Sequence, residues 1–178
     1  MGLIHGRKEA IKPDNLTVSD IKSRCKKSDI SGFFTSLEHL GLHYGSSFRG
    51  VDQLFVGSQE AIAHVTLADL IKAQRNQYRV HPALLDSCFQ VLSAAIGREV
   101  LESQKESTFM PVSVAELTVY ERPETEAWSY ARVTTFDEER DNILGDIIIT
   151  QPDGSVAIEV RGLKLKRLGQ KKTSSITD

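Results

Sequence analysis

Two strand-like runs, one long helix and then four more strand-like runs predict an α+β fold, an antiparallel sheet packed on a single helix. Two observations carry that prediction. From Leu85 the apolar residues recur as Leu85, Cys88, Phe89, Leu92, Ala95 and Ile96, the three-then-four spacing of a buried helical face. Beyond that helix, strand-length segments are separated by Pro123-Glu124, Asp137 to Asp141 and Asp153-Gly154, all residues that favour turns. With 178 residues and no internal repeat, the chain is long enough for one domain with a real core and too short for two substantial ones.

Taken in order, residues 1–17 are polar, with Pro13-Asp14-Asn15 as a turn. Residues 18–40 read as one or two short helices, since Ile30, Phe33, Phe34 and Leu37 have helical spacing and Gly41 stops the run. Strands are expected over 48–56 and 61–67, joined at Gly57-Ser58. His64 alternates with Ile62 and Val65 and reads as a surface or edge residue. A polar loop, 72–79, leads to the long helix. Pro82 suits its first position, where a missing N–H costs nothing, and Gly97 its end. Four strands follow, at 109–120, 127–136, 143–150 and 155–165. The second alternates imperfectly, which predicts cover on both faces. The stretch 169–178 reads as a polar linker. The basic cluster around it, Lys164, Lys166, Arg167, Lys171 and Lys172, reads as a solvated surface.

Composition excludes several classes. The 22 basic and 24 acidic residues give a net charge of −2, so nothing draws the chain to nucleic acid or to an anionic membrane. No apolar run is long enough to cross a bilayer and no signal peptide opens the chain, so a reducing, cytoplasmic setting is expected. Cys25 and Cys88 are too few for a disulfide framework, and Cys88 on the apolar face reads as a packed thiol. There is no metal-ligand spacing, no phosphate-binding Gly loop and no Gly-x-Ser-x-Gly elbow.

One stretch carries chemistry: His81-Pro82-Ala83-Leu84-Leu85-Asp86-Ser87-Cys88-Phe89-Gln90. Asp86 and Gln90 lie four apart on one helical face and can interact. A carboxylate on such a helix loses hydration unless a polar group meets it, and such places often do chemistry, although a plain polar surface gives the same spacing. The pattern His-Pro-x-x-x-Asp-x-x-x-Gln, preceded by Gly41-Leu42-His43-Tyr44-Gly45-Ser46-Ser47-Phe48-Arg49-Gly50, resembles the second half of a polyketide synthase dehydratase domain. Phe109-Met110-Pro111-Val112-Ser113, Asp146 to Ile149, Pro152-Asp153-Gly154 and Val160-Arg161-Gly162-Leu163 resemble further segments of that family in the same order. The likeness covers roughly residues 3–168, and Met1 to Gly6 resembles the strand that ends the first half.

The resemblance implies a single hotdog, the C-terminal half of a double-hotdog dehydratase. Residues 1–17 would then be the end of the preceding half or a linker, 18–168 the hotdog and 169–178 a tail. It implies removal of water from 3-hydroxyacyl thioesters carried on the phosphopantetheine of an acyl carrier protein in polyketide or fatty acid biosynthesis, with no bound cofactor and no metal. Dehydration needs a base for the proton beside the thioester carbonyl and an acid for the departing hydroxyl. By resemblance Asp86 is that acid and Gln90 orients it. Tyr44 lines the pocket with its neighbours Gly45 and Phe48, and His81 and Pro82 hold the loop before the helix.

Two departures matter. The family base sits in His-x-x-x-Gly-x-x-x-x-Pro, but the residues four after His5, His39, His43, His64 and His81 are Glu9, His43, Ser47, Ala68 and Leu85. The base must therefore come from an N-terminal hotdog half acting as partner. His43, beside Tyr44, is a weaker site candidate. Second, Ser46 stands where the family has Pro after Tyr-Gly, which leaves Tyr44 less rigidly aimed. Two alternatives stay open: a non-catalytic hotdog module for structure, docking or acyl-chain shaping, and a self-associated pair using two Asp86 residues. A lone half exposes a sheet edge, so a homodimer imitating the double hotdog is expected.

Overall fold

The computed structural model describes residues 10–97, 100, 107–137 and 139–169. Short helix α1 (Val18–Arg24) leads through strand β1 (Lys26–Ser28) to α2 (Ile30–His39). Strands β2 (Val51–Val56) and β3 (Glu60–Thr66), the single turn α3 (Asp69–Lys72) and the long helix α4 (Pro82–Ile96) follow. The chain closes with β4 (Ser107–Val119), β5 (Glu126–Asp137), β6 (Asn142–Thr150) and β7 (Val156–Gly169). The seven strands form one sheet in the order β1-β2-β3-β5-β6-β7-β4, antiparallel throughout. This is the expected α+β architecture of a single hotdog, the sheet curling round α4, which packs mainly on β3 and β5.

Helix α4 begins where Pro82 supplies a pre-set φ and the ring Nδ1 of His81 accepts a hydrogen bond from the Ala83 N–H at 3.1 Å. It ends at Gly97, whose φ of +92° suits a residue without Cβ. Its deepest face differs from the expected one. Leu84, Cys88, Val91 and Ala95 point into the core with Leu92 and Ile96, while Leu85 and Phe89 are half-buried. A helix wrapped on more than one side has a broad apolar surface, and periodicity alone does not choose its centre. Cys88 is fully buried, and burial pushes its thiol up to about 12, so it is a packing residue.

The sheet meets α4 through small residues: Ala61 and Ala63 of β3, and Ala127 and Ala131 of β5, have no exposed surface. Gly145 of β6 does the same at the far side. A Cβ there would stand 2.8 Å from Leu92 Cδ2 and 2.9 Å from the Arg132 carbonyl oxygen. Register shifts between Val133 and Thr135 and between Gly145 and Ile147 bend the sheet at this point.

The outer face carries structure that periodicity did not disclose. Ile21 and Ile62 are buried outside the main core, and Lys22 lies 4.6 Å from the Phe55 ring centre and 5.2 Å from that of Trp128. Arg24 pairs with Glu60 at 2.7 and 2.9 Å, so α1 partly covers β2, β3 and β5 from outside. On β5 itself, Ala127, Ser129 and Ala131 are buried and Trp128 and Tyr130 half-buried. His64 is not a bare surface residue: Nδ1 lies 2.7 Å from Asp52 and Nε2 3.4 Å from Glu126, on the interior strand β3. The 48–56 strand starts at Val51, because residues 46–48 form a 3₁₀ turn, and the 72–79 loop holds a second such turn at 75–77.

Lys164, Lys166 and Arg167 belong to β7, where Arg167 pairs with Asp141 at 3.2 Å and stacks on Phe109. Residues 1–9, 98–99, 101–106, 138 and 170–178, including Lys171, Lys172 and the strand-like Met1 to Gly6, lie outside the described residues. Among the described residues, no helix is long and apolar enough to cross a membrane.

Candidate active site

The polar stripe of α4 and the loop 44–50 make the site. Gln90 is 3% exposed, and its Nε2 donates to Asp86 Oδ2 and to the Phe48 carbonyl, both at 2.9 Å. Two acceptors on one nitrogen fix the amide's orientation. The other end, Oε1, is buried without a hydrogen-bond partner among the described residues. Asp86, one turn nearer the helix start, is half-buried. The site thus holds one carboxylate fixed by an amide and one buried acceptor with nothing donating to it.

Ser87 completes the staple. Its hydroxyl donates to the Phe48 carbonyl at 3.4 Å and accepts from the Gly50 N–H at 3.3 Å. Gly50 must lack a side chain, since a Cβ would stand 2.8 Å from both Ser87 Oγ and the Thr66 carbonyl oxygen. Sequence reasoning missed Ser87, whose partners lie 37 and 39 residues away.

Tyr44 is half-buried against the core, and burial, then the nearby Asp86 charge, pushes its phenol up to about 12. It is therefore a neutral O–H donor at any working pH. Its loop, which carries Ser46 where the family has proline, makes several main-chain contacts. Gly45 caps the 3₁₀ turn, with the Phe48 N–H donating to the Gly45 carbonyl at 2.9 Å. Arg49 donates to the Tyr44 carbonyl at 2.9 Å, pairs with Glu38 of α2, and lies 5.1 Å from the Phe34 ring centre. Sequence alone did not single out this contact of Arg49 with the Tyr44 main chain.

Asp86, Gln90, Tyr44, Gly45 and Phe48 thus come together, and His81 and Pro82 do not join them. His81 is buried as the helix cap, with the Tyr78 ring 5.0 Å away edge-on. His43 is exposed, and among the described residues no histidine is joined to Asp86 by a hydrogen bond or ion pair. The described residues hold no group of three or more potential metal ligands.

The family described as the polyketide synthase dehydratase N-terminal domain matches residues 13–175. Polyketide synthase PksN of Bacillus subtilis (strain 168) is 26% identical over 159 residues, covering 86% of this chain and 3% of that protein. The phthioceranic/hydroxyphthioceranic acid synthase of Mycobacterium tuberculosis (strain ATCC 25618 / H37Rv) is 30% identical over 128 residues, covering 70% of this chain and 6% of that protein. Among solved structures, the dehydratase domain from the CurK module of curacin polyketide synthase superposes with a TM-score of 0.75 at 27% identity. That match covers 88% of this chain and 54% of the CurK chain. One His→Phe and one Asp→Asn variant of that dehydratase are inactive mutants. The chain thus spans about half of the solved dehydratase domain and a small part of each curated relative. With the family match extending from residue 13 to residue 175, this chain belongs to the polyketide synthase dehydratase family.

Proposed function

We propose that this chain is the acid-bearing, C-terminal hotdog of a 3-hydroxyacyl-thioester dehydratase. It acts with an N-terminal hotdog half that supplies a histidine base, within the same polypeptide or as a separate chain. The single observation that carries the reading is Asp86 held by Gln90 beside the neutral phenol of Tyr44. The family description speaks of an N-terminal domain. Assignment to the second half rests instead on the Asp86 motif, and a span of about half of the CurK dehydratase is consistent with it. The loss of activity in that enzyme on changing one His or one Asp fits a two-group mechanism whose Asp is Asp86 here.

In this mechanism the partner's imidazole takes the proton from the carbon beside the thioester carbonyl. The electron pair closes the new C=C bond, and the hydroxyl on the next carbon leaves with a proton from the Asp86 carboxyl, as water. Gln90 holds the Asp86 carboxyl through its Nε2, and Tyr44 can donate a hydrogen bond to the substrate hydroxyl. The substrate arrives on the phosphopantetheine arm of an acyl carrier protein, and no further cofactor is required.

Mass spectrometry of a 3-hydroxybutyryl-pantetheine thioester incubated with this chain and the upstream half tests the reading. Loss of one water is expected, falling about 10²–10⁴-fold in Asp86→Asn, the usual worth of positioned acid–base help. Turnover undiminished in Asp86→Asn overturns it. Failure of the wild-type pair to turn over favours the second reading, a non-catalytic hotdog module.

A further inference from the structure

The loop 44–50 reaches Asp86 through a main-chain group. Gln90 Nε2 spans the Phe48 carbonyl and Asp86 Oδ2, so the amide that holds the carboxylate takes its own bearing from that carbonyl. Gln90 is buried, and its amide has no bulk water to turn to when the carbonyl moves. The placement of the Phe48 carbonyl therefore sets the orientation of Asp86.

That placement is fixed two residues further on. Gly50 lies between β3 and α4: its carbonyl accepts from the Thr66 N–H at 2.8 Å, and its N–H donates to Ser87 Oγ at 3.3 Å. The Ser87 hydroxyl is 1% exposed and donates back to the Phe48 carbonyl at 3.4 Å. Both Ser87 bonds are long, so close packing does more of the holding than bond strength. Gly50 has no positive φ, and glycine is required there by space alone. The Thr66 carbonyl oxygen on one side and Ser87 Oγ on the other leave no room for a Cβ. The contacts run unbroken from β3 through Gly50, Ser87, the Phe48 carbonyl and Gln90 to Asp86.

We infer that Gly50 and Ser87 are positioning residues for the Asp86 acid, acting through the Phe48 carbonyl and Gln90. Widening their approach lifts the carbonyl from Gln90, and the amide then ceases to hold the carboxyl in one orientation. The catalytic consequence rests on the dehydratase reading, whereas the hold on Gln90 does not. Helix α4 supplies its own control. Ser129 of β5 is a buried serine that donates to the Cys88 carbonyl at 3.0 Å, a contact of the same kind away from Asp86.

Two measurements separate the inference from the reading it rests on. Nuclear magnetic resonance of the full isotope-labelled chain follows the Gln90 side-chain amide. Its protons should exchange with solvent at least about fivefold faster in Ser87→Ala and in Gly50→Ala, and at the wild-type rate in Ser129→Ala. Unchanged exchange in either folded site variant, or equal acceleration in Ser129→Ala, overturns the inference whatever the catalytic result. If Gly50→Ala does not fold, Ser87→Ala decides. The second measurement is a double-mutant cycle on turnover of 3-hydroxybutyryl-pantetheine with the upstream half present. Ser87→Ala should lower kcat about fivefold with KM within about twofold of wild type, and should lower it no further in a Gln90→Ala background. An unchanged kcat in Ser87→Ala, or additive losses in the double variant, overturns the route through Gln90. No turnover by wild type speaks against the dehydratase reading alone and leaves the exchange rates to decide the positioning.

Discussion

Single side chains at the site owe their behaviour to what main chain they touch. Asp86 and Gln90 were legible in the sequence because a helix brings residues four apart together. Ser87 and Arg49 were not, because each works on a backbone carbonyl, of Phe48 and of Tyr44, and a carbonyl has no sequence signature. Tyr44 gives a prediction at this scale. Its folded-state pKa stands near 12, above the ordinary tyrosine value, so the stability held by its neutral form is complete below the unfolded pKa of about 10. That stability drains away as pH rises toward the folded value. The difference in tyrosinate absorbance between wild type and Tyr44→Phe should rise near pH 12 in folded protein and near pH 10 in denaturant. A folded-state rise near pH 10 would mean that the phenol is solvated and does not face Asp86.

At the scale of elements, the sequence disclosed what repeats and hid what does not. The four strands after α4 fall within four residues of their expected ends, since alternation and turn residues mark them. Strand β1, Lys26–Ser28, has three residues and no apolar pattern, so only its pairing with β2 reveals it. The centre of α4's buried face was misplaced by one position, toward Leu85 rather than Leu84, because the helix is apolar nearly all round. Gly145 shows how tightly that helix is held. Gly145→Val should destabilise the fold by about 1–3 kcal/mol, the usual cost of overpacking, read as a lower denaturant midpoint at unchanged slope. A midpoint equal to wild type would mean that β6 can retreat from Leu92 without cost.

For the whole molecule, the asymmetry of the sheet is the governing fact. One edge is the three-residue β1, whereas the other is β4, thirteen residues long and, among the described residues, paired with β7 alone. Met110, Val112, Val114 and Leu117 are 36–49% exposed along it. Pro111 withholds one N–H, yet most of the edge remains free to pair. Sedimentation velocity should show a mass that rises with concentration, and Val114→Lys should shift it back toward the 19.8 kDa monomer. A monomer at every concentration would mean that β4 is not an associating edge.

The same arrangement dictates an order of events during synthesis. Strand β4 is made before β5 and β6, yet its one strand neighbour among the described residues is β7, so Ser107 waits for Gly169 and Val119 for Ile158. Until β7, Val156–Gly169, has left the ribosome, β4 has no strand to pair with among the described residues. A nascent chain halted after residue 150 would therefore carry a finished helix and an orphan strand, the form most prone to capture by a chaperone.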